Sequence, residues 1–228
     1  MDLKEISNII ENNADVYKML KYCPYAILKH WEYQQYSPGE IICRQGEKYD
    51  HFLIIVEGYV NIYFMAENGR KYIQSIYKSG NFIGELEIFH HKPYICFVEA
   101  LTDVKILKIK QQYFLQWIQL DIHAHTFITE TICDHFYDLS QKAGEDTLYS
   151  LKKRICNYLL SCCQGKIATT NLKIEKRQLS EMFAVTSRSV NRILQYLKAE
   201  GAIEIKTDSL IIKDSSILVR IEKQSQYD

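Results

Sequence analysis

The stretch SPGEIICRQGEKYDHFLIIVEGYVNIY, residues 37–63, decides the fold. It contains HFLIIV (51–56) and runs into YVNIYFM (59–65), two segments rich in β-branched and aromatic residues that meet at Glu57-Gly58. Such composition predicts strands, and a glycine between them accepts the positive φ of a tight hairpin. Working outward, KYIQSIY (71–77) follows the turn signal Glu67-Asn68-Gly69, and ICFVEAL (95–101) and VKILKI (104–109) flank Thr102-Asp103. Gly39, Gly46, Gly58, Gly69, Gly80 and Gly84 punctuate the region. Many short strands at near-even spacing predict a small barrel or jelly roll rather than a parallel sheet.

Residues 121–148 hold no proline and only one glycine, Gly144. Ile128, Ile132, Phe136, Leu139 and Ala143 recur at steps of four, four, three and four, which is one helical stripe. A stripe sustained over four turns resembles a coiled-coil seam and predicts a homodimer paired through these five residues. The other reading, packing against the chain's own β-roll, competes with it.

Beyond this helix, SLKKRICNYLLSCC (150–163) reads as an amphipathic helix with Ser150 as its N-cap. The run EKRQLSEMFAVTSRSVNRILQYLKAEGAIEIK (175–206) holds two more helical patterns around Ala184-Val185-Thr186. Leu179, Met182 and Phe183 form the core face of the first; Val190, Ile193, Leu194 and Leu197 form that of the second, which Gly201 ends. Ala184 is expected to be small because the helices approach closely there. Two short strands, Ile203–Lys206 and Leu210–Lys213, around Thr207-Asp208-Ser209 complete a winged helix-turn-helix. The fold class is therefore α+β, divided into a β-roll over 1–120, a dimerisation helix and hinge over 121–149, and a DNA-binding domain over 150–228.

Charge divides along the same line. The whole chain of 228 residues balances 28 Lys+Arg against 28 Asp+Glu, but residues 1–149 hold 14 basic and 20 acidic residues while 150–228 hold 14 and 8. An acidic front joined to a basic rear predicts an anionic partner for the rear. No apolar run reaches the roughly 18 residues of a membrane span, and the polar, acidic N-terminus does not read as an export signal, so a cytoplasmic protein with no membrane partner is expected. Seven cysteines without framework spacing fit reduced thiols in that compartment.

The residues 37–63, then NGRKY (68–72), then SGNFIGELEIF (79–89), resemble the cyclic-nucleotide-binding β-roll of the CRP/FNR family of bacterial transcription regulators, and VTSRSVNRIL (185–194) resembles that family's DNA-binding domain. FIGELEIF is also similar to the YeiL subgroup. The likeness covers nearly the whole chain through the order and spacing of its motifs. It implies a sequence-specific, homodimeric DNA-binding regulator acting on a two-fold-related promoter site, with RNA polymerase as a further partner if it activates.

The second helix of the pair would then lie in the major groove with Thr186, Ser187, Arg188, Ser189, Asn191 and Arg192 as its polar face. Arg188 is the leading base reader, since a guanidinium pairs bidentately with guanine, and Arg192 lies one turn further on. Arg177 and Lys176, with Lys152, Lys153, Lys173 and Lys206, are the candidate phosphate contacts. The family's usual pattern places Arg then Glu where this chain has Ser187 then Arg188, so its half-site should differ from the one that cyclic-AMP receptor proteins read.

The resemblance also bears on the effector. Gly84, Glu85 and Leu86 match the first half of the family's phosphate cassette, in which the Glu contacts the ribose. Counting back from Val98-Glu99-Ala100, the cassette's Arg and Ser are Tyr94 and Ile95, and no arginine stands between Arg70 and Arg154. A phosphate desolvated without its cation costs several kcal/mol, so cyclic AMP and cyclic GMP are expected to bind weakly or not at all. Leu139 and Ser140 stand where the family helix reaches toward the partner's nucleotide, and Leu139 again suggests an apolar or absent effector. No cofactor and no metal site is expected. An iron-sulfur cluster of the family's oxygen-sensing type is disfavoured, because only Cys23 precedes Cys43. No enzyme motif with a suitable context is found. A small-molecule or protein binding module without a DNA role, and a redox regulator using its cysteines, are the competing readings.

Overall fold

The computed structural model describes residues 3–163, 170–172, 176–206 and 209–225. Lys173 and the wing tip at Thr207-Asp208 therefore lie outside the described residues. The chain divides into two compact units, Met1–His135 and Phe136–Asp228. The division falls inside one helix.

The first unit opens with three helices, α1 (Leu3–Glu11), α2 (Ala14–Leu20) and α3 (Tyr25–Leu28). Strands β1 (Glu32–Tyr36), β2 (Ile41–Cys43), β3 (His51–Glu57), β4 (Tyr59–Met65), β5 (Lys71–Lys78) and β6 (Phe82–Ile83) follow. After α4 (Glu85–His90) come β7 (Phe97–Ala100), β8 (Val104–Lys110), α5 (Gln111–Leu120) and α6 (Ile122–Leu148), which continues into the second unit. The strands form two antiparallel four-stranded sheets, ordered β1-β8-β3-β6 and β2-β7-β4-β5. This is the jelly-roll expectation met, although β7 begins at Phe97, with Ile95 exposed and Cys96 buried ahead of it.

Strand β3 explains its own unbroken apolar sequence. Leu53 and Ile55 point into the roll beside Val60, Val98 and Ile106, whereas Phe52, Ile54 and Val56 face a second core shared with the helices. A strand buried on both faces loses the polar-apolar alternation of a half-exposed one. The helical side is centred on aromatic rings: Phe52 stacks on Phe114 at 4.2 Å, and Trp31 meets Trp117 edge-on at 5.6 Å. Asn13 fastens α2 to this core. Its side-chain oxygen accepts from the Asp15 and Val16 amides, and its amide nitrogen donates to Val56 O at 2.6 Å and Ser79 Oγ at 2.9 Å.

At the start of α6, Ile128 is buried in this same core and Ile132 packs against it. The five-residue stripe is thus split. Ile128 belongs to the protomer's own interior and leaves the expected dimer seam, because the first turns of α6 have a core of their own to cover. Phe136, Leu139 and Ala143 are exposed.

The second unit contains the rest of α6, then α7 (Leu151–Cys162), β9 (Thr170–Leu172), α8 (Lys176–Met182), α9 (Ser187–Ala199), β10 (Ile203–Ile205), β11 (Leu210–Ile212) and α10 (Ser215–Gln224). Its sheet is antiparallel and ordered β10-β11-β9. Ser150 caps α7 by accepting from the Lys153 amide. Ile155, Leu159, Leu179, Val190, Leu194, Leu197, Ile203, Ile212, Leu218 and Ile221 close one core around which the helices and sheet assemble.

Candidate nucleic-acid interface and effector cavity

Helices α8 and α9 meet through the turn at Phe183–Thr186. Ala184 is exposed there with φ +54, so it serves as the left-handed residue of the turn and not as a small residue at a close helix contact. Such a conformation costs a non-glycine residue about 1 kcal/mol. Thr186 then caps α9, its hydroxyl accepting from the Ser189 amide at 3.1 Å and lying 2.9 Å from the Ser189 hydroxyl. Ser187 Oγ donates to Ser180 Oγ at 3.4 Å. The three hydroxyls first expected to face bases are therefore engaged within the chain and shape the start of the helix.

Arg188 and Arg192 differ from them. Both are exposed, four residues apart on α9, and among the described residues neither makes an ion pair, whereas Val190, Leu194 and Leu197 on the buried side are fully enclosed. Asn191 is half-buried beside them. Arg177 pairs with Glu181 at 3.0 Å across one turn of α8, and Lys176 is exposed at that helix's start. Lys206 is exposed after β10, and Lys152 lies over the Tyr196 ring at 5.5 Å.

Lys153 is not a phosphate contact. It is 5% exposed, pairs with Glu222 of α10 at 3.1 Å and lies 4.1 Å over the Tyr149 ring. Its position on the inner side of α7, at the junction with α10, removes it from any DNA-facing surface.

The first unit holds a cavity of about 500 Å³, counted with its open mouth, bounded by β4, β5, β6, α4 and the segment leading into β7. Gly84, Glu85, Leu86, Tyr94 and Ile95 all line it, together with Gln74, Tyr77, Phe82, Glu87 and Cys96. Leu139 and Ser140 stand on exposed turns of α6 in the second unit, and the Ser140 hydroxyl donates to Phe136 O at 2.8 Å.

Gly84 makes this arrangement possible. Its φ is +102, and a Cβ built there would come 2.6 Å from His51 O and 2.7 Å from the Tyr94 hydroxyl. Only glycine lets the chain turn into α4 this close to a tyrosine. Tyr94 is 3% exposed and Glu85 6%, and the Tyr94 hydroxyl and Glu85 Oε2 have no hydrogen-bond partner among the described residues, although the Cys43 thiol lies beside Tyr94. Burial, opposed by a backbone hydrogen bond and reinforced by neighbouring Glu87, pushes the Glu85 carboxyl up to about 8. Burial also raises Glu87 and Tyr94, and drives the Cys43 thiol up to about 12. Burial thus favours the protonated form of Glu85 near neutral pH.

Tyr77 carries the cavity wall outward. Its hydroxyl lies 3.2 Å from His135 Nδ1, and the two rings stack at 5.2 Å. All seven cysteines are free thiols; Cys133 is the exposed one, on α6. Among the described residues no three His, Cys, Asp or Glu side chains converge as a metal site, and no helix is long and apolar enough to cross a membrane.

A β-roll with an open-mouthed cavity is followed along the chain by a long helix and a winged helix-turn-helix, the layout of a DNA-binding transcription regulator. Residues 33–121 match the cyclic nucleotide-binding domain and residues 153–221 the Crp-like helix-turn-helix domain. The chain belongs to the CRP/FNR family and is a DNA-binding transcription regulator of that type, not an enzyme. It is 25% identical over 191 residues to the cAMP-activated global regulator CRP of Salmonella typhimurium, covering 81% of this chain and 91% of the relative. To the cAMP-activated global regulator Vfr of Pseudomonas aeruginosa it is 22% identical over 195 residues, covering 82% and 91%. Among solved structures, a CRP/FNR-family regulator from Eubacterium rectale superposes with a TM-score of 0.74 at 18% identity, over 90% of this chain and 97% of the other. The c-di-GMP-responsive regulator CLP of Xanthomonas campestris gives 0.73 at 17% identity, over 81% and 94%.

Proposed function

We propose that the protein is a cytoplasmic homodimer that binds a two-fold-related promoter site with α9 in each major groove, and that its β-roll answers to an effector other than a cyclic nucleotide. One observation carries the DNA reading: among the described residues Arg188 and Arg192 stand exposed and without ion pairs on a helix whose opposite face buries Val190, Leu194 and Leu197. A guanidinium not committed to a carboxylate is available for guanine or phosphate. Arg188 reads a base; Arg192 reaches a base or a phosphate; Lys176, Arg177 and Lys206 steady the complex on the backbone. Thr186, Ser187 and Ser189 set the pitch at which α9 enters the groove.

Dimerisation is supported by the exposed face of α6, where Phe136 and Tyr137 are each 72% exposed and Leu139 and Ala143 continue the surface. Apolar rings left in water on a helix favour burial against a second copy. The departure from cyclic AMP is supported by Tyr94: a buried phenol stands where the family resemblance puts the phosphate-binding arginine, and two carboxyl groups line the same cavity. If the regulator activates, RNA polymerase is its further partner.

Selection of bound fragments from genomic DNA, followed by mobility shifts with the recovered motif, tests the reading. A two-fold motif whose binding weakens steeply with salt is expected. Absence of any sequence preference would overturn it.

A further inference from the structure

The effector cavity has a chemistry of its own. Three aromatic rings, Tyr77, Phe82 and Tyr94, line it with two carboxyl groups, Glu85 and Glu87, and none of its lining residues is Lys, Arg or His. Aromatic faces carry negative potential and attract a cation, the more so when it is desolvated. Glu85 Oε2 is buried with no hydrogen-bond partner among the described residues, whereas the Tyr94 hydroxyl lies against the Cys43 thiol, so one carboxyl oxygen is left for a donor that a ligand brings. An anion would meet two carboxyl groups and no compensating charge. The rim is apolar: Leu86 and Ile95 are exposed at the mouth, Ile95 by 63%.

We infer that the cavity binds a small organic cation, an amine or amidine on an apolar body, with its head against Glu85 among the three rings and its body covering Leu86 and Ile95. This rests on the reading of the cavity as the effector site and names the ligand class that site takes. The same occupant explains why the cavity has exchanged an arginine for a tyrosine: the change removes the charge that suits a phosphate and adds a ring that suits a cation.

Binding has a proton signature. Burial holds the Glu85 carboxyl up to about 8, which favours its protonated form near neutral pH. A cation beside it favours the carboxylate, so one proton leaves as the ligand enters. The other ionisable groups around Glu85 are Glu87 on α4, Tyr77 on β5, and Tyr94 and Cys96 ahead of β7, with Cys43 of β2 beside Tyr94 and His135 of α6 beside Tyr77 and Phe82. Burial holds the tyrosines and thiols above their ordinary values, and loss of the proton release in Glu85→Gln distinguishes the carboxyl from His135 as its source.

Titration calorimetry of the full chain with benzamidine as probe, near neutral pH in two buffers of different ionisation enthalpy, tests the inference. Benzamidine is expected to bind with release of about one proton, while phenyl phosphate and cyclic AMP give no heat. Glu85→Gln should weaken benzamidine by about tenfold or more and abolish the proton release. Ile95→Lys, at an exposed rim position that the fold does not need, should weaken it several-fold and more so at low salt. No binding of benzamidine, binding unaffected by both substitutions, or equal binding of the phosphates would overturn the inference. A mobility shift on the same preparation reports the DNA reading separately, so loss of one does not masquerade as loss of the other.

Discussion

Glu85→Gln should change how the first unit's stability depends on pH. An ordinary carboxyl titrates at 4.5, whereas burial pushes Glu85 up to about 8 in the folded chain. The folded state therefore keeps a proton that the unfolded state has lost, and stability is full below pH 4.5, declines as pH rises, and reaches its floor near pH 8. Each pH unit in that window costs about 1.4 kcal/mol, which amounts to roughly 3 kcal/mol by pH 7. Glutamine has the same shape and cannot ionise. The difference in stability between the variant and the parent should accordingly rise in the variant's favour by about 1 kcal/mol per pH unit from pH 5.5 to 8. A constant offset from the new amide does not alter that slope. Urea unfolding followed by tryptophan fluorescence reads it cleanly, because the chain's two tryptophans, Trp31 and Trp117, both lie in the first unit's core. Parallel stability curves for the two proteins across the window would refute the placement of a buried, ionisable carboxyl at the cavity.

Gly84→Ala should destabilise the first unit by about 3 kcal/mol, since it combines positive-φ strain with a Cβ driven against His51 O and the Tyr94 hydroxyl; an unchanged tryptophan-detected midpoint would contradict this. Lys153→Ala leaves Glu222 without its partner and should lower the stability of the second unit by roughly 3 kcal/mol. That loss should appear in the circular-dichroism melt and leave the tryptophan transition in place. If the proposed dimer pairs through this face of α6, Phe136→Arg should give a monomer in sedimentation where the parent is a dimer, since the ring stands 72% exposed on a single copy.

The sequence made some elements plain and concealed others for identifiable reasons. Strands β3, β4 and β5 were legible because their apolar runs end at glycines that adopt positive φ, and α9 because its buried face repeats at helical spacing behind a capping threonine. Helix α5 was missed: Lys110, at its N-cap, makes no side-chain cap bond, and its aromatic residues read equally well as strand. The N-terminal helices were also passed over, although Ile6, Ile9 and Ile10 recur at helical spacing and Asn13 offers a cap signal. Strand β9 has three residues, too few for any period. Helix α10 carried a usable signal in Asp214, its N-cap.

At the candidate site, residue type was legible and partnership was not. Lys153 is a lysine like Lys152 on paper, and only the placement of Glu222 of α10 and Tyr149 makes it an interior ion pair. Ile128 and Phe136 share one stripe, yet the first has a core above it and the second does not. The loss of the cassette arginine was visible at Tyr94, but the burial of Glu85 beside it depends on how β6 turns into α4 at Gly84.

The account is tested most directly by fluorescence anisotropy of the full chain on a labelled genomic fragment carrying its selected two-fold motif, titrated with and without cyclic AMP. The predicted result is sequence-specific binding of equal affinity in both titrations, reduced by about 1 to 3 kcal/mol in Arg188→Ala at one base position of each half-site. Binding that appears only when cyclic AMP is added, or that Arg188→Ala leaves untouched on every sequence, would contradict it.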